Sequence, residues 1–185
     1  MSSLGISKVT KVACIETLLQ CIKRGNLYII ADNVQHLDIG CKLAFKLALE
    51  GKHPSLYFSF TFSKAQMVAR LISLKSGIPV EQLINGQLEH SQYKPLSNEI
   101  TFFDESPLYI DDTPIFELDE VCSKIRNLCG KNKLEYIIID GLLPDNCEKQ
   151  VAIEQTLTTL ATELNTAIVI VTKSNLTNQI FDTAK

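Results

Sequence analysis

Five short apolar runs punctuate the chain, each bounded by turn-forming residues: Leu27–Ala31, Ser55–Phe60, Leu108–Ile110, Tyr136–Asp140 and Ala167–Thr172. Runs of this length that lack polar alternation predict strands covered on both faces, the signature of a buried parallel sheet. Stretches of helical period separate them. Residues Ile39–Glu50 place Cys41, Leu43, Ala44, Leu47 and Ala48 on one stripe, and Lys64–Ser76 does the same with Met67, Val68, Leu71 and Ile72. A third helix is predicted over Glu117–Cys129, with Asp112 or Thr113 as its cap and Pro114 in its first turn. A fourth covers Glu148–Asn165, where Asn165 is a natural stop. Residues Gly86 to Glu105 break the rhythm, being polar with Pro95 nearby, and predict a short helix with surface loops. Strand and helix otherwise alternate, so the expected wrapping is βαβ with right-handed crossovers and helices on both faces of the sheet.

Composition narrows the class. The 185 residues suffice for one domain with a substantial core, and no linker or repeat divides them, so residues 1–185 are expected to form a single domain. No stretch has the roughly 20 apolar residues of a membrane span, and the first residues show no apolar leader, so no membrane association and a cytoplasmic location are expected. A net charge of −3 argues against strong autonomous binding to nucleic acid, which depends on clustered Lys and Arg. The 6 cysteines never fall as CxxC, and Cys122 and Cys129 lie at helical spacing. Reduced, mostly buried thiols are expected rather than a metal site. The histidines His36, His53 and His90 show no ligand spacing and are expected on the surface or in loops.

In an open α/β sheet, ligands bind beyond the carboxyl ends of the strands, which directs attention to the residues after Ala31, Phe60 and Asp140. Strand Tyr136–Asp140 ends in an acid after Tyr-Ile-Ile-Ile, the form of a strand whose carboxylate holds Mg²⁺ through water. The segments Gly25 to Ala31, Leu56 to Phe60, Ser76-Gly77-Ile78-Pro79-Val80, Leu83 to Leu88, Leu108 to Pro114 and Tyr136 to Asp140 together resemble the C-terminal motor domain of DnaB-type replicative helicases. The likeness begins upstream at Thr10, Val12, Ile15, Glu16 and Leu18 and runs to about residue 176. It implies a RecA-like, P-loop-type parallel sheet with helices on both faces. The chain would stop after the fifth core strand of that fold, ahead of the family's arginine finger.

The resemblance also implies a ring motor that hydrolyses ATP between subunits and draws single-stranded DNA through the ring, so the family's nucleotide positions can be compared one by one. The loop that should cradle phosphate runs Asp32-Asn33-Val34-Gln35-His36-Leu37-Asp38-Ile39-Gly40. Leu37 stands at the last glycine, Asp38 at the lysine and Ile39 at the hydroxyl that holds magnesium. A P-loop needs all three for its backbone wrap, its cation and its metal ligand. Asp38 turns an attraction into a repulsion, and two unit charges ~4 Å apart interact with about 4 kcal/mol at an effective dielectric of 20. Thr61 stands where the family has the glutamate that activates water, and a threonine is no base at neutral pH. Thr172-Lys173-Ser174 replaces the region of the family's sensor glutamine. Asp140 alone matches.

A capping role explains Asp38 as well, since its carboxylate could meet the free N–H groups of a helix starting near Ile39. Asp111 and Asp112 are read in the same way, as a capping turn before Thr113-Pro114. The expected function is therefore a non-catalytic, DnaB-helicase-like binding or assembly module in DNA replication or mobile-element maintenance. No cofactor is expected, ATP and Mg²⁺ entering only under an alternative. In that alternative the chain is an ATP-dependent helicase subunit, its site completed by partner subunits or by Lys42 or Lys173. Expected partners are further copies of the chain or another replication protein, with single-stranded DNA bound weakly at most. The motive for self-association is an edge exposed beside Ile168–Val171, with Asn175–Lys185 the segment that could fold over it.

Overall fold

The structure, a computed structural model, describes residues 8–10, 15–32, 39–114, 117–142 and 147–173. Six strands, β1 (Lys8–Thr10), β2 (Leu27–Asp32), β3 (Ser55–Ser59), β4 (Leu108–Asp111), β5 (Tyr136–Asp140) and β6 (Ala167–Lys173), form one sheet in the order β1-β2-β6-β5-β3-β4. Every pairing is parallel. The helices are α1 (Ile15–Cys21), α2 (Ile39–Ala44), α3 (Lys64–Ser76), α4 (Val80–Asn85), α5 (Tyr93–Asp104), α6 (Leu118–Asn132) and α7 (Cys147–Leu164). A π-helical turn over Phe45–Glu50 continues α2, and a 3₁₀ turn over His90–Gln92 precedes α5.

Side chains point to alternate faces along a strand, and that period sorts the apolar runs into two cores. Leu27 and Ile29 of β2, Leu56 and Phe58 of β3, Ile137 and Ile139 of β5, and Ile168 and Ile170 of β6 meet Val121 and Ile125 of α6 and Leu157 and Leu160 of α7. Tyr28, Ile30, Tyr57, Ile138 and Val169, on the other face, meet Leu18 of α1, Leu43 and Ala44 of α2, and Met67 and Leu71 of α3. Two-sided burial explains why β2, β5 and β6 read as unbroken apolar runs. Strand β5 sits at the centre, between β6 and β3.

Four expectations require correction. Strand β6 is not an edge, because it pairs with β2 on one side and β5 on the other, so no unpaired backbone is left there. The segment 175–185 lies outside the described residues. The sheet has six strands rather than five, β1 adding a 3-residue edge too short to show a hydrophobic pattern. Residues 86–105 are more helical than their polarity suggests, because α5 runs 12 residues on a partly apolar face. Helix α6 starts at Leu118, and Glu117 is its N-cap without a side-chain hydrogen bond. Asp112 caps a different helix, as its geometry below shows.

Candidate functional site at the strand ends

Neighbouring strands β3 and β5 send the chain to opposite faces. After β3 it enters α3, which packs beside Tyr57, and after β5 it enters α7, which packs beside Phe58. Adjacent strands with diverging exits open a crevice beyond their carboxyl ends. A cavity of about 600 Å³ lies there, its walls including Ser59, Thr61, Phe62, Asp112, Gly141 and Leu142.

The turns that shape it are tightly bonded. Phe60 N donates to Asp140 O at 3.0 Å, and Gly141 N donates to Val171 O at 3.1 Å, so both exits are stitched to neighbouring strands. Gly141 has φ +87°, in the left-handed region that favours glycine, and a Cβ there would come within 2.8 Å of Thr61 Oγ1. The Ser59 hydroxyl donates to Phe62 O at 2.7 Å and accepts from Phe62 N at 3.0 Å. Ser63 then caps α3 in a capping box with Gln66. The Asp112 carboxylate accepts from Lys64 N at 2.7 Å, so a side chain from the loop after β4 closes the start of α3.

Asp111 is held differently. It accepts from Thr113 N at 3.0 Å and pairs with Lys124 of α6, Nζ to Oδ2 at 2.7 Å. Burial alone would raise its carboxyl, but the hydrogen bonds from Lys124 and Thr113 outweigh that and hold it below the ordinary 3.8. The expected capping turn at Asp111 and Asp112 thus splits into an Asx turn locked to α6 and a cap on α3.

Asp140 shares a sheet face with Tyr57. Residue pairs Tyr57/Ile138 and Ser59/Asp140 are in register, so the long phenol, lying diagonal to Asp140, reaches toward the strand ends. The Tyr57 hydroxyl donates to Asp140 Oδ2 at 3.2 Å. It also presses on Gly40 in the first turn of α2, where a Cβ would overlap the hydroxyl and stand 3.2 Å from Cζ. Tyr57 is buried and Asp140 half-buried.

The other predicted positions are distributed as follows. Asp32 ends β2, its backbone in register with Lys173, and Ile39 opens α2 half-buried. Leu37, Asp38 and the rest of 33–38 lie outside the described residues, as do Ser174 and residues 143–146. Lys42 is two residues beyond Gly40, which turns it to another side of α2. There it lines a cleft of about 270 Å³ with Ile15, Glu16, Phe45 and Glu50. That places it away from Asp140, against its use as a substitute phosphate lysine. The sequence marks Asp112 as a cap, though for a different helix, and does not single out Tyr57. Tyr57 becomes visible only once the register of β3 on β5 is known.

Among the described residues, no group of three or more His, Cys, Asp or Glu is placed to hold a metal ion. Cys41 and Cys122 are buried, Cys129 is half-buried, and Cys21 is exposed, none of them in a disulfide. Burial pushes the Cys122 and Cys129 thiols up from 9.0, which keeps them protonated. His53 is partly exposed, with Nδ1 3.1 Å from Glu135 Oε2. No described helix is long and apolar enough to cross a membrane.

A parallel six-stranded sheet with helices on both faces and a crevice between β3 and β5 defines an α/β domain of the RecA-like class. Two solved structures share the fold: the ATPase domain of G40P, at TM-score 0.72 and 21% identity over 96% of this chain and 68% of that one, and a DnaB-like replicative helicase, at TM-score 0.68 and 20% identity over 92% of this chain and 44% of that one. The model of the DnaB-like helicase C terminal domain matches residues 8–180, and the chain belongs to that family. Its relatives include the replicative DNA helicase DnaB of Treponema pallidum (strain Nichols), 32% identical over 69% of this chain and 31% of the relative. That of Mycobacterium intracellulare is 25% identical over 92% of this chain and 32% of the relative. The chain thus spans about a third of the length of these helicases.

Proposed function

We propose that this domain is a non-catalytic member of its family, a binding or assembly module of a cytoplasmic DNA-replication or mobile-element system. The observation that carries the reading is the lining of the strand-end cavity. Thr61 offers a hydroxyl there, and the one carboxylate among the lining residues, Asp112, is committed to Lys64 N. Water activation needs a free base within hydrogen-bond reach, and none stands among the described residues of this wall. Asp112 is committed to Lys64 N and Asp140 accepts from Tyr57, so the described residues fit Mg²⁺-ATP poorly.

The surface supports the assembly role. None of the residues of α4, the 3₁₀ turn or α5 is buried. Ile84, Tyr93 and Ile100 are about half exposed, at 52%, 53% and 54%. Large apolar side chains left this exposed on one excursion of the chain are what a contact surface would use. Partners of the class suggested by the similar DnaB-like helicase, described with its interactions with primase, are replication proteins. Further copies of this chain are the other class. Light scattering on the purified protein across a concentration series tests the self-association arm. A mass that rises with concentration, and falls to the monomer in Ile84→Glu/Ile100→Glu, is expected. A wild-type monomer throughout, with no capture of its replication partners, contradicts the reading.

The retained Asp140 favours one second reading, a helicase subunit whose nucleotide site is completed by neighbouring subunits. Mg²⁺-dependent ATP hydrolysis on mixing with an active relative, lost in Asp140→Asn, would establish it.

A further inference from the structure

At the end of the sheet opposite the strand-end cavity, four strands begin side by side, and each is entered through a left-handed residue. Register places the first residues of β2, β6, β5 and β3 next to one another, with Leu27 opposite Ile168, Tyr136 opposite Ala167 and Ser55 opposite Tyr136. The entering turns are bonded in the same order: Gly25 N donates to Thr166 O at 3.2 Å, Ala167 N to Glu135 O at 3.0 Å, and Glu135 N to Pro54 O at 2.8 Å. They form a row of three strand spacings, about 15 Å long. The left-handed positions are Gly25 at φ +79°, Asn165 at +49°, Lys133 at +49° and Lys52 at +56°. Glycine suits such a position and asparagine tolerates it, whereas a lysine holds it at a cost in backbone strain.

Cations crowd this row: Lys23, Arg24, Lys52, Lys131 and Lys133 are all exposed. The acids near it are already matched, Glu135 with His53 and Arg24, Glu50 with Lys46, and Glu163 with Arg126. Among the described residues no acid pairs with Lys23, Lys52, Lys131 or Lys133. Helix C-termini also meet this end and favour cations, but Lys131 in the last turn of α6 already answers that helix dipole, so the strain at Lys133 has another reason. The entry to β4, with Asp104 and Glu105, bounds the row on one side. We infer that this row is a docking surface for an acidic, extended segment of a partner protein, with Lys52 and Lys133 held in left-handed turns to present their ammonium groups to it. An extended peptide places alternate side chains on one face about 7 Å apart, so carboxylates at alternate positions match a row of this length. Phosphate recognition favours the planar fork of Arg, and single-stranded nucleic acid adds aromatic stacking; this row is mostly lysine, and its turns carry no Phe, Tyr or Trp. The inference rests on the reading of the domain as a binding module and gives one partner a chemistry.

The test uses the full chain and a fluorescein-labelled peptide of alternating Glu and Ser long enough to span the row, with binding followed by fluorescence anisotropy at low and high salt. The wild type binds the peptide at low salt and releases it as salt rises. The double variant Lys52→Gly/Lys133→Gly binds about tenfold more weakly, yet its Tm is unchanged or higher, because glycine relieves both left-handed positions and Lys75 keeps its own contact with the Phe102 ring that Lys52 also approaches. Lys42→Gln/Lys94→Gln, which removes two cations away from the row, leaves the affinity within twofold of wild type. Four results overturn the inference: no binding by the wild type, an equal loss in the two double variants, a lower Tm in Lys52→Gly/Lys133→Gly, or tighter binding of an oligothymidylate through the same lysines. Neither readout involves ATP or self-association, so failure here is distinct from failure of the proposed function.

Discussion

Strand β5 and the helices α4 and α5 stand at opposite extremes of packing. Ile137, Ile138 and Ile139 are 0% exposed, each locked between the sheet and a helical layer. Across α4 and α5 no residue is buried. The excursion is tethered by a few contacts: Phe103 against the core, the ion pair of Lys75 with Glu99 at 2.8 Å, and Lys75 Nζ 3.1 Å from the Phe102 ring centroid. The residue types of β5 are dictated by the interior of this molecule. Ile84, Tyr93 and Ile100 are each about half exposed, so the interior of the molecule constrains them far less.

The largest expected effect tests the first half of that contrast. Ile138→Asp places an unpaired charge at the centre of the sheet, a cost of several kcal/mol against a total stability of about 5–15 kcal/mol. The variant should be lost to the insoluble fraction, and a soluble, cooperatively melting Ile138→Asp would break the comparison. Asp112→Ala should be milder. It removes one acceptor at the start of α3, while the box of Ser63 and Gln66 stays, so a loss of about 1 kcal/mol or less is expected in chemical denaturation.

Acid should act through Asp111. Its folded-state carboxyl lies below the ordinary 3.8, so its contribution is complete above pH about 4 and is lost as pH falls through the folded value. Lys124→Met should lower stability at pH 7 and change it least at the lowest pH, so the part of the stability profile below pH 4 flattens. An unchanged acid limb would show that the pair with Lys124 is not what holds Asp111 down. The smallest effect on stability belongs to the excursion. Ile84→Ser and Tyr93→Ser should each alter unfolding by no more than ~0.5 kcal/mol, as surface changes do, while weakening association. A loss of stability like that of a core residue would mean these side chains pack within the chain after all.

The sheet was legible because burial on two faces leaves a strong pattern. Tyr136–Asp140 and Lys64–Ser76 have the bounds that the sequence predicts. Helix α1 carries a readable stripe in Ile15, Leu18, Leu19 and Ile22, short enough to look like a lead-in to the first core strand. Strand β1, at 3 residues, left none. The position of β6 escapes the sequence because sequence order says nothing of spatial order: β6 inserts between β2 and β5. The capping of Asp112 was assigned to the helix next in sequence, but a parallel sheet brings the loop after β4 beside the start of α3, 48 residues earlier. At the site, Asp140 and Thr61 were readable from their place at strand ends. The Tyr57 contact was not, since it depends on a register that only the paired strands reveal.

The central claim is that these strand ends no longer take a nucleotide, and calorimetric titration of Mg²⁺-ATP into the purified protein tests it most directly. The account predicts no saturable heat at micromolar protein, with Asp140→Asn indistinguishable from wild type. A saturable isotherm in the micromolar range that requires Asp140 would contradict it.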